Sequence, residues 1–126
     1  MNTLTKAEEQ VMQILWSEKE GFVKDLLQHF PDPKPAYNTV STIIRILEKK
    51  GFVDHRSFGK SHQYYPVVSR DKYRHERFSS LMEDYFNNSM KQVLSHFGKN
   101  GSLNMKEADE IIHLMEELKQ KSGNDE

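Results

Sequence analysis

Asn38, Ser41, Thr42, Arg45 and Lys49 fall within AYNTVSTIIRILEKKGFV at spacings that place them on one side of a helix. Ala36, Val40, Ile43, Ile44 and Leu47 take the other side, in the stripe of a buried face. The polar groups are short or forked. A guanidinium can meet O6 and N7 of guanine together, a carboxamide N6 and N7 of adenine, and hydroxyls serve base edges or phosphates. The chemistry written on this face is hydrogen-bonded recognition, with no bond made or broken.

Other groups in the chain offer catalysis less. The six histidines, His29, His55, His62, His75, His96 and His113, form no H-x-x-x-H or H-E-x-x-H pattern. They read as surface or partly packed side chains, although His55 and His62 lie on facing strands of an expected hairpin. The chain has no cysteine, which excludes disulfides, thiolate metal sites and a cysteine nucleophile. No glycine-rich phosphate loop is present, and Met82, Met90, Met105 and Met115 fall on helical stripes as adaptable packing. The expectation is a protein that is not an enzyme and holds no cofactor or metal.

Net charge is −1 over 126 residues, which by itself does not mark a nucleic-acid binder. Its distribution does. From Lys34 to His62 six Lys/Arg stand against two acids, and from Glu107 to the end seven acids stand against two lysines. The basic stretch coincides with the polar helix face and with the hairpin after it. No apolar run approaches the roughly 20 residues of a bilayer span, and the first residues lack a secretory signal, so a cytoplasmic location is expected.

The elements that must position the polar face follow from pattern. Thr5 and Glu8 form a T-x-x-E capping box, and Ala7, Val11, Ile14 and Leu15 repeat at helical spacing, so a first helix is expected over 6–18, with Trp16 closing its apolar side. Gly21 ends it, Phe22 and Val23 are expected extended, and KDLLQHF, 24–30, makes a short second helix. PDPKP forbids continuation. The third helix, 36–50, carries the polar face, and Gly51 can cap it. Strands are expected over 52–58 and 62–67, joined by Gly59, Lys60 and Ser61, with Pro66 suiting an edge. Helix, turn, helix and hairpin in this order is a winged helix-turn-helix, whose second turn helix enters the major groove.

From Ser69 the pattern becomes a wide apolar stripe: Phe78, Leu81, Met82, Tyr85, Phe86, Met90, Val93, Leu94 and Phe97. One helix over 70–97 would be on the order of 40 Å long, more than a small head can cover. After GKNGS, Asn104 pairs with Glu107 as a cap, and Ala108, Ile111, Ile112, Met115 and Leu118 line a last helix. Two such faces without a cover imply a second copy of the chain. The fold class is therefore mainly α with a small β-hairpin wing: a winged-helix head over 1–70, a helical dimerisation region over 71–121, and a disordered tail over 122–126.

The E-x-x-V-M-x-x-L-W start, the Y-N-T-V-x-T-x-x-x-x-L-x-x-K-G helix and the wing ending Y-Y-P resemble the penicillinase repressor family of bacterial regulators. The resemblance covers essentially the whole chain and is densest through Tyr73. It implies a homodimeric repressor that binds a palindromic double-stranded DNA operator. Asn38, Ser41, Thr42 and Arg45 would read bases. Tyr37, Thr39, Lys49, Arg56 and Lys60 would lie on the DNA backbone. In one branch of the family a membrane-bound metalloprotease sensor triggers cleavage in the C-terminal helices, which maps here onto His96 and Phe97 within VLSHF. The cysteines of the copper-responsive branch are absent. The alternative from another class is an adaptor that uses the winged helix to bind proteins without DNA.

Overall fold

The computed structural model describes residues 3–124. Six helices and one hairpin follow in the order α1 (Lys6–Glu18), α2 (Val23–Leu27), α3 (Tyr37–Lys49), β1 (Val53–Phe58), β2 (Ser61–Pro66), α4 (Arg70–Phe86), α5 (Met90–Lys99) and α6 (Met105–Asn124). The chain divides into two units, one ending at Phe78 and one beginning at Ser79.

In the first unit α1 starts where the capping box sets it. Thr5 Oγ1 accepts from Glu8 N at 3.1 Å, and Thr5 N donates to Glu8 Oε1 at 2.8 Å. Its buried face is Glu8, Val11, Met12 and Leu15; Ala7, expected inward, is exposed. Val11, Met12, Leu15, Leu26, Val40, Ile44, Leu47 and Phe52 form the fully buried centre of the head. Each such side chain contributes about 1.5–3 kcal/mol by leaving water. Trp16 closes the core from the side, with its indole N–H donating to Val68 O at 2.8 Å. Tyr73, at the start of α4, donates its ring to the same core and accepts Leu4 N at 3.2 Å.

Local chemistry shifts several expected boundaries. Val23 is helical and not extended, because Phe22 already supplies the carbonyl that Asp25 N and Leu26 N reach at 3.0 Å. α2 stops at Leu27 instead of Phe30, yet Phe30 stays buried. Lys34 Nζ binds the freed carbonyls of Phe30 and Gln28, at 2.9 and 3.4 Å. On α3 Ala36 is the exposed N-cap, so the buried set reduces to Val40, Ile44 and Leu47 with Ile43 half-buried.

The hairpin pairs Val53 with Pro66 through Phe58 with Ser61, so only Gly59 and Lys60 form the loop and Ser61 is strand. Gly59 has φ +61°, at the first central position that a type II′ turn reserves for glycine. Gly21 forms an isolated antiparallel bridge to β2: its N–H donates to Tyr64 O and its carbonyl accepts from Tyr64 N, both at 2.9 Å. A Cβ at Gly21 would lie 2.8 Å from Leu26 Cδ2, so a side chain there would force the buried Leu26 to shift.

The expected single helix over 70–97 is two helices. Asn87 and Asn88 take φ of 50° and 58°, and Asn88 N donates back to Met82 O at 2.9 Å. Asparagine tolerates this left-handed region better than other non-glycine residues. Ser89 then caps α5 by accepting from Gln92 N at 3.2 Å. The apolar rhythm ran through this N-N-S break and hid it. Gly98 does not end α5, which continues to Lys99 and is stopped at Asn100 and Gly101, where φ is +77°.

The cap at α6 has its expected pair: Glu107 N donates to Asn104 Oδ1 and Asn104 Nδ2 to Glu107 Oε1, both at 2.8 Å. α6 runs through Asn124, past the start of the tail expected disordered from 122; Asp125 and Glu126 lie outside the described residues.

Among the described residues of the second unit only Met82 and Val93 are buried hydrophobics. Phe86, Leu94 and Ile111 are half-buried; Leu81, Tyr85, Met90, Phe97, Ile112, Met115 and Leu118 are exposed, as is Phe78 at the end of the first unit. No helix among the described residues is long and apolar enough to cross a membrane.

Candidate nucleic-acid interface

Burial of Val40, Ile44 and Leu47 fixes the rotation of α3, and that rotation turns Asn38, Thr39, Thr42, Arg45 and Lys49 outward, with Ser41 half-buried beside them. The hairpin then stands next to α3. Between them opens a cleft of about 840 Å³ whose lining includes Tyr37, Ser41, Arg45, Phe58, Lys60, Ser61, His62 and Tyr64, with Phe22 to Asp25 of α2 as the third wall. Of the polar face named from sequence, the cleft brings together Ser41, Arg45, Tyr37 and Lys60. Asn38, Thr39, Thr42 and Lys49 are exposed on α3 outside that lining.

Arg45 is not extended into solvent. Its Nε donates to Ser41 O at 3.3 Å and its Nη2 to Ser41 Oγ at 3.2 Å, one helical turn earlier. The serine holds the guanidinium along the outer face through one N–H of Nε and one of Nη2, which leaves the two Nη1 donors and the second Nη2 N–H for another acceptor.

Side-chain pairing separates the free cations from the committed ones. Lys50 Nζ reaches both oxygens of buried Glu8, at 2.8 and 2.9 Å. Burial pushes the Glu8 carboxyl up, but Lys50 and the Thr5 backbone and hydroxyl outweigh it, leaving the carboxyl below its usual range. Arg56 pairs with Glu20 at 2.8 Å and lies 4.5 Å over the ring of Tyr65. Strand alternation explains this: His55 touches Glu48 of α3, so Arg56 points to the opposite face of the hairpin. A phosphate contact by Arg56 would cost it the Glu20 pair. Arg45, Lys49 and Lys60 have no carboxylate partner among the described residues.

Tyr64, read in the sequence only as part of the Y-Y-P wing, bridges the wing to Gly21 between α1 and α2. Burial, then the Glu48 carboxylate, raise its hydroxyl above the usual phenol value; Arg45 opposes and Tyr37 adds to the rise. The hydroxyl therefore stays neutral behind the outer face. Alternation in SHQYYP would have placed His62, Tyr64 and Pro66 on one side. His55 and His62 do meet, with stacked rings whose centroids are 4.0 Å apart. Glu48, Asp54 and His55 bring three donor atoms within 4.8 Å of one another, the one group of this kind among the described residues.

The penicillinase repressor family model matches residues 4–117. The chain belongs to the penicillinase repressor family. That family is one of transcriptional repressors, which are not enzymes. The methicillin resistance regulatory protein MecI of Staphylococcus aureus (strain N315) is 23% identical over 113 residues, covering 89% of this chain and 92% of that one. The penicillinase repressor of Bacillus licheniformis is 22% identical over 117 residues, 92% of this chain and 91% of that one. Among solved structures, the DNA binding domain of the repressor BlaI superposes with a TM-score of 0.50 at 22% identity, over 56% of this chain and 88% of that domain. The likeness establishes the winged-helix fold of the head in this member of the penicillinase repressor family.

Proposed function

We propose that this chain is a homodimeric transcriptional repressor that reads a palindromic operator with α3 and steadies itself on the DNA backbone with the wing. The observation that carries the reading is the open cleft between α3 and the hairpin, with Arg45 and Lys60 in its lining and neither paired to a carboxylate among the described residues. Duplex phosphates supply the negative charge that such a surface lacks, and Arg45 with Asn38 supplies base readout of about 1–3 kcal/mol for each good pair. The Bacillus licheniformis relative is named a penicillinase repressor, MecI a regulatory protein of methicillin resistance, and the BlaI domain the DNA binding domain of a repressor, all of which agree with this surface.

The second copy follows from the second unit. Its helices leave Leu81, Tyr85, Ile112, Met115 and Leu118 exposed, and α5 and α6 form an apolar trough of about 640 Å³ lined by Leu94, Ile111, Ile112, Met115 and Leu118. Two copies would set two recognition helices about 34 Å apart, one turn of duplex. Relief of repression by a membrane-bound metalloprotease sensor, cutting between His96 and Phe97, is the finer part of the same proposal. Both residues are exposed but lie inside α5, so cleavage requires that helix to open locally.

Fluorescence anisotropy of labelled duplex DNA across a salt series tests the reading. Binding should weaken linearly in log salt. Absence of any duplex binding at physiological salt would exclude it and favour an adaptor that binds proteins.

A further inference from the structure

We propose that Glu48, Asp54 and His55 bind a divalent transition-metal ion of the Zn2+ class where the end of α3 meets the start of β1. Three observations carry it. The donor atoms of the three side chains lie within 4.8 Å of one another and come from two elements fixed by the core. Neither carboxylate is paired with a lysine or arginine among the described residues, whereas Glu8, Glu20, Asp32 and Asp71 each have one within 4.0 Å; the partners of Glu48 and Asp54 are the imidazole and the backbone N–H of His55. The imidazole makes the donor set mixed nitrogen and oxygen, which suits Zn2+, Co2+ or Ni2+ better than the hard cations Mg2+ or Ca2+.

The local arrangement favours capture. His55 turns Nδ1 toward Glu48 Oε2, so the nitrogen that would ligate already faces the carboxylate that would share the ion. His62 stacks on the His55 ring at 4.0 Å between centroids and holds its plane. Ligands around a tetrahedral Zn2+ lie about 3.3 Å apart, so the set is completed when exposed Asp54 rotates, giving up the bond its Oδ1 accepts from His55 N at 2.8 Å, and Glu48 parts slightly from His55, with water in the fourth position. Binding displaces any proton on Nδ1 into solvent and leaves the two carboxylates neutralised by the ion. The Glu18 and His29 pair at 2.9 Å and the His113 and Glu117 pair at 3.0 Å have the same imidazole and carboxylate but no third donor, so they serve as internal controls.

The test is titration of the full chain with ZnCl2 in competition with a chromophoric chelator, repeated with CoCl2 to record ligand-field bands. One Zn2+ per chain should bind, and His55→Ala and Asp54→Asn should each weaken it at least about tenfold, while His29→Ala and His113→Ala leave it unchanged. Zn2+ should raise the melting temperature of the wild type and of His29→Ala, but not of His55→Ala. Circular dichroism establishes that each variant is folded, with Glu48→Gln replacing any variant that is not. Equal Zn2+ affinity in the wild type and in folded variants at positions 48, 54 and 55, or no binding at micromolar Zn2+, overturns the proposal.

Discussion

Ser41 accepts two hydrogen bonds from Arg45, one on its carbonyl at 3.3 Å and one on its hydroxyl at 3.2 Å. The forked donor of the outer face is therefore oriented before any partner arrives. This lowers the rotamer entropy lost on binding and sets the direction from which an acceptor must approach. Arg45→Ala should relax sequence preference, shrinking the operator-to-random affinity ratio by about 1–3 kcal/mol. Ser41→Ala should leave the fork in place but less fixed, with a loss under about 1 kcal/mol. Competition binding at one fixed salt concentration checks both.

Lys60 sits in the two-residue loop of the wing, exposed and without a carboxylate partner among the described residues. Lys60→Ala should weaken binding to all duplexes alike and reduce the salt slope by about 1, the signature of one lost phosphate contact. Arg56→Ala should do less to the slope, because Arg56 is held by Glu20 and Tyr65. Anisotropy across a salt series reads both slopes.

Glu8 ties α1 to the end of α3 through Lys50 while capping α1 through Thr5. Glu8→Gln should destabilise the head by about 1.5–3 kcal/mol, the range for a lost charged hydrogen bond, because it removes the countercharge of the partly exposed Lys50 ammonium. The pH dependence has a definite sign. The folded carboxyl lies below its usual value, so the stability it contributes is full above about pH 4.5 and is lost as pH falls through the folded value. The stability gap between wild type and Glu8→Gln should therefore be wide at neutral pH and close in acid, as measured by urea unfolding at several pH values.

Much of this was legible from periodicity and punctuation. Thr5 and Glu8 announced α1, and the stripe of Val40, Ile44 and Leu47 fixed which side of α3 faces out, whereas α2 stops at Leu27, short of the proline run that was expected to end it. What escaped depended on pairs distant in sequence. Lys50 read as a cation at a helix end, and only the folded chain shows that it reaches Glu8, 42 residues away. Tyr64 read as one more aromatic in a strand, and only the bridge to Gly21 shows that it joins the wing to the segment between α1 and α2. The break at Asn87 and Asn88 was written locally, but a strong apolar rhythm on both sides masked it.

Ile112 and Met115 are exposed on α6 beside the half-buried Leu94 and Ile111. Replacing both with aspartate should convert a dimer to a monomer at micromolar concentration while leaving the head folded, because neither side chain belongs to its core. Multi-angle light scattering reads the mass, and circular dichroism the fold. A wild type that is monomeric at that concentration would remove the second copy from the proposal.

The central claim is that the outer face of α3 reads duplex DNA, and selection of bound duplexes from a random pool tests it most directly. The wild-type chain should enrich two-fold symmetric sites with half-sites about one helical turn apart, and the Arg45→Ala chain should lose preference at one base pair in each half-site. Enrichment of no sequence, or of the same sequence with and without Arg45, would contradict it.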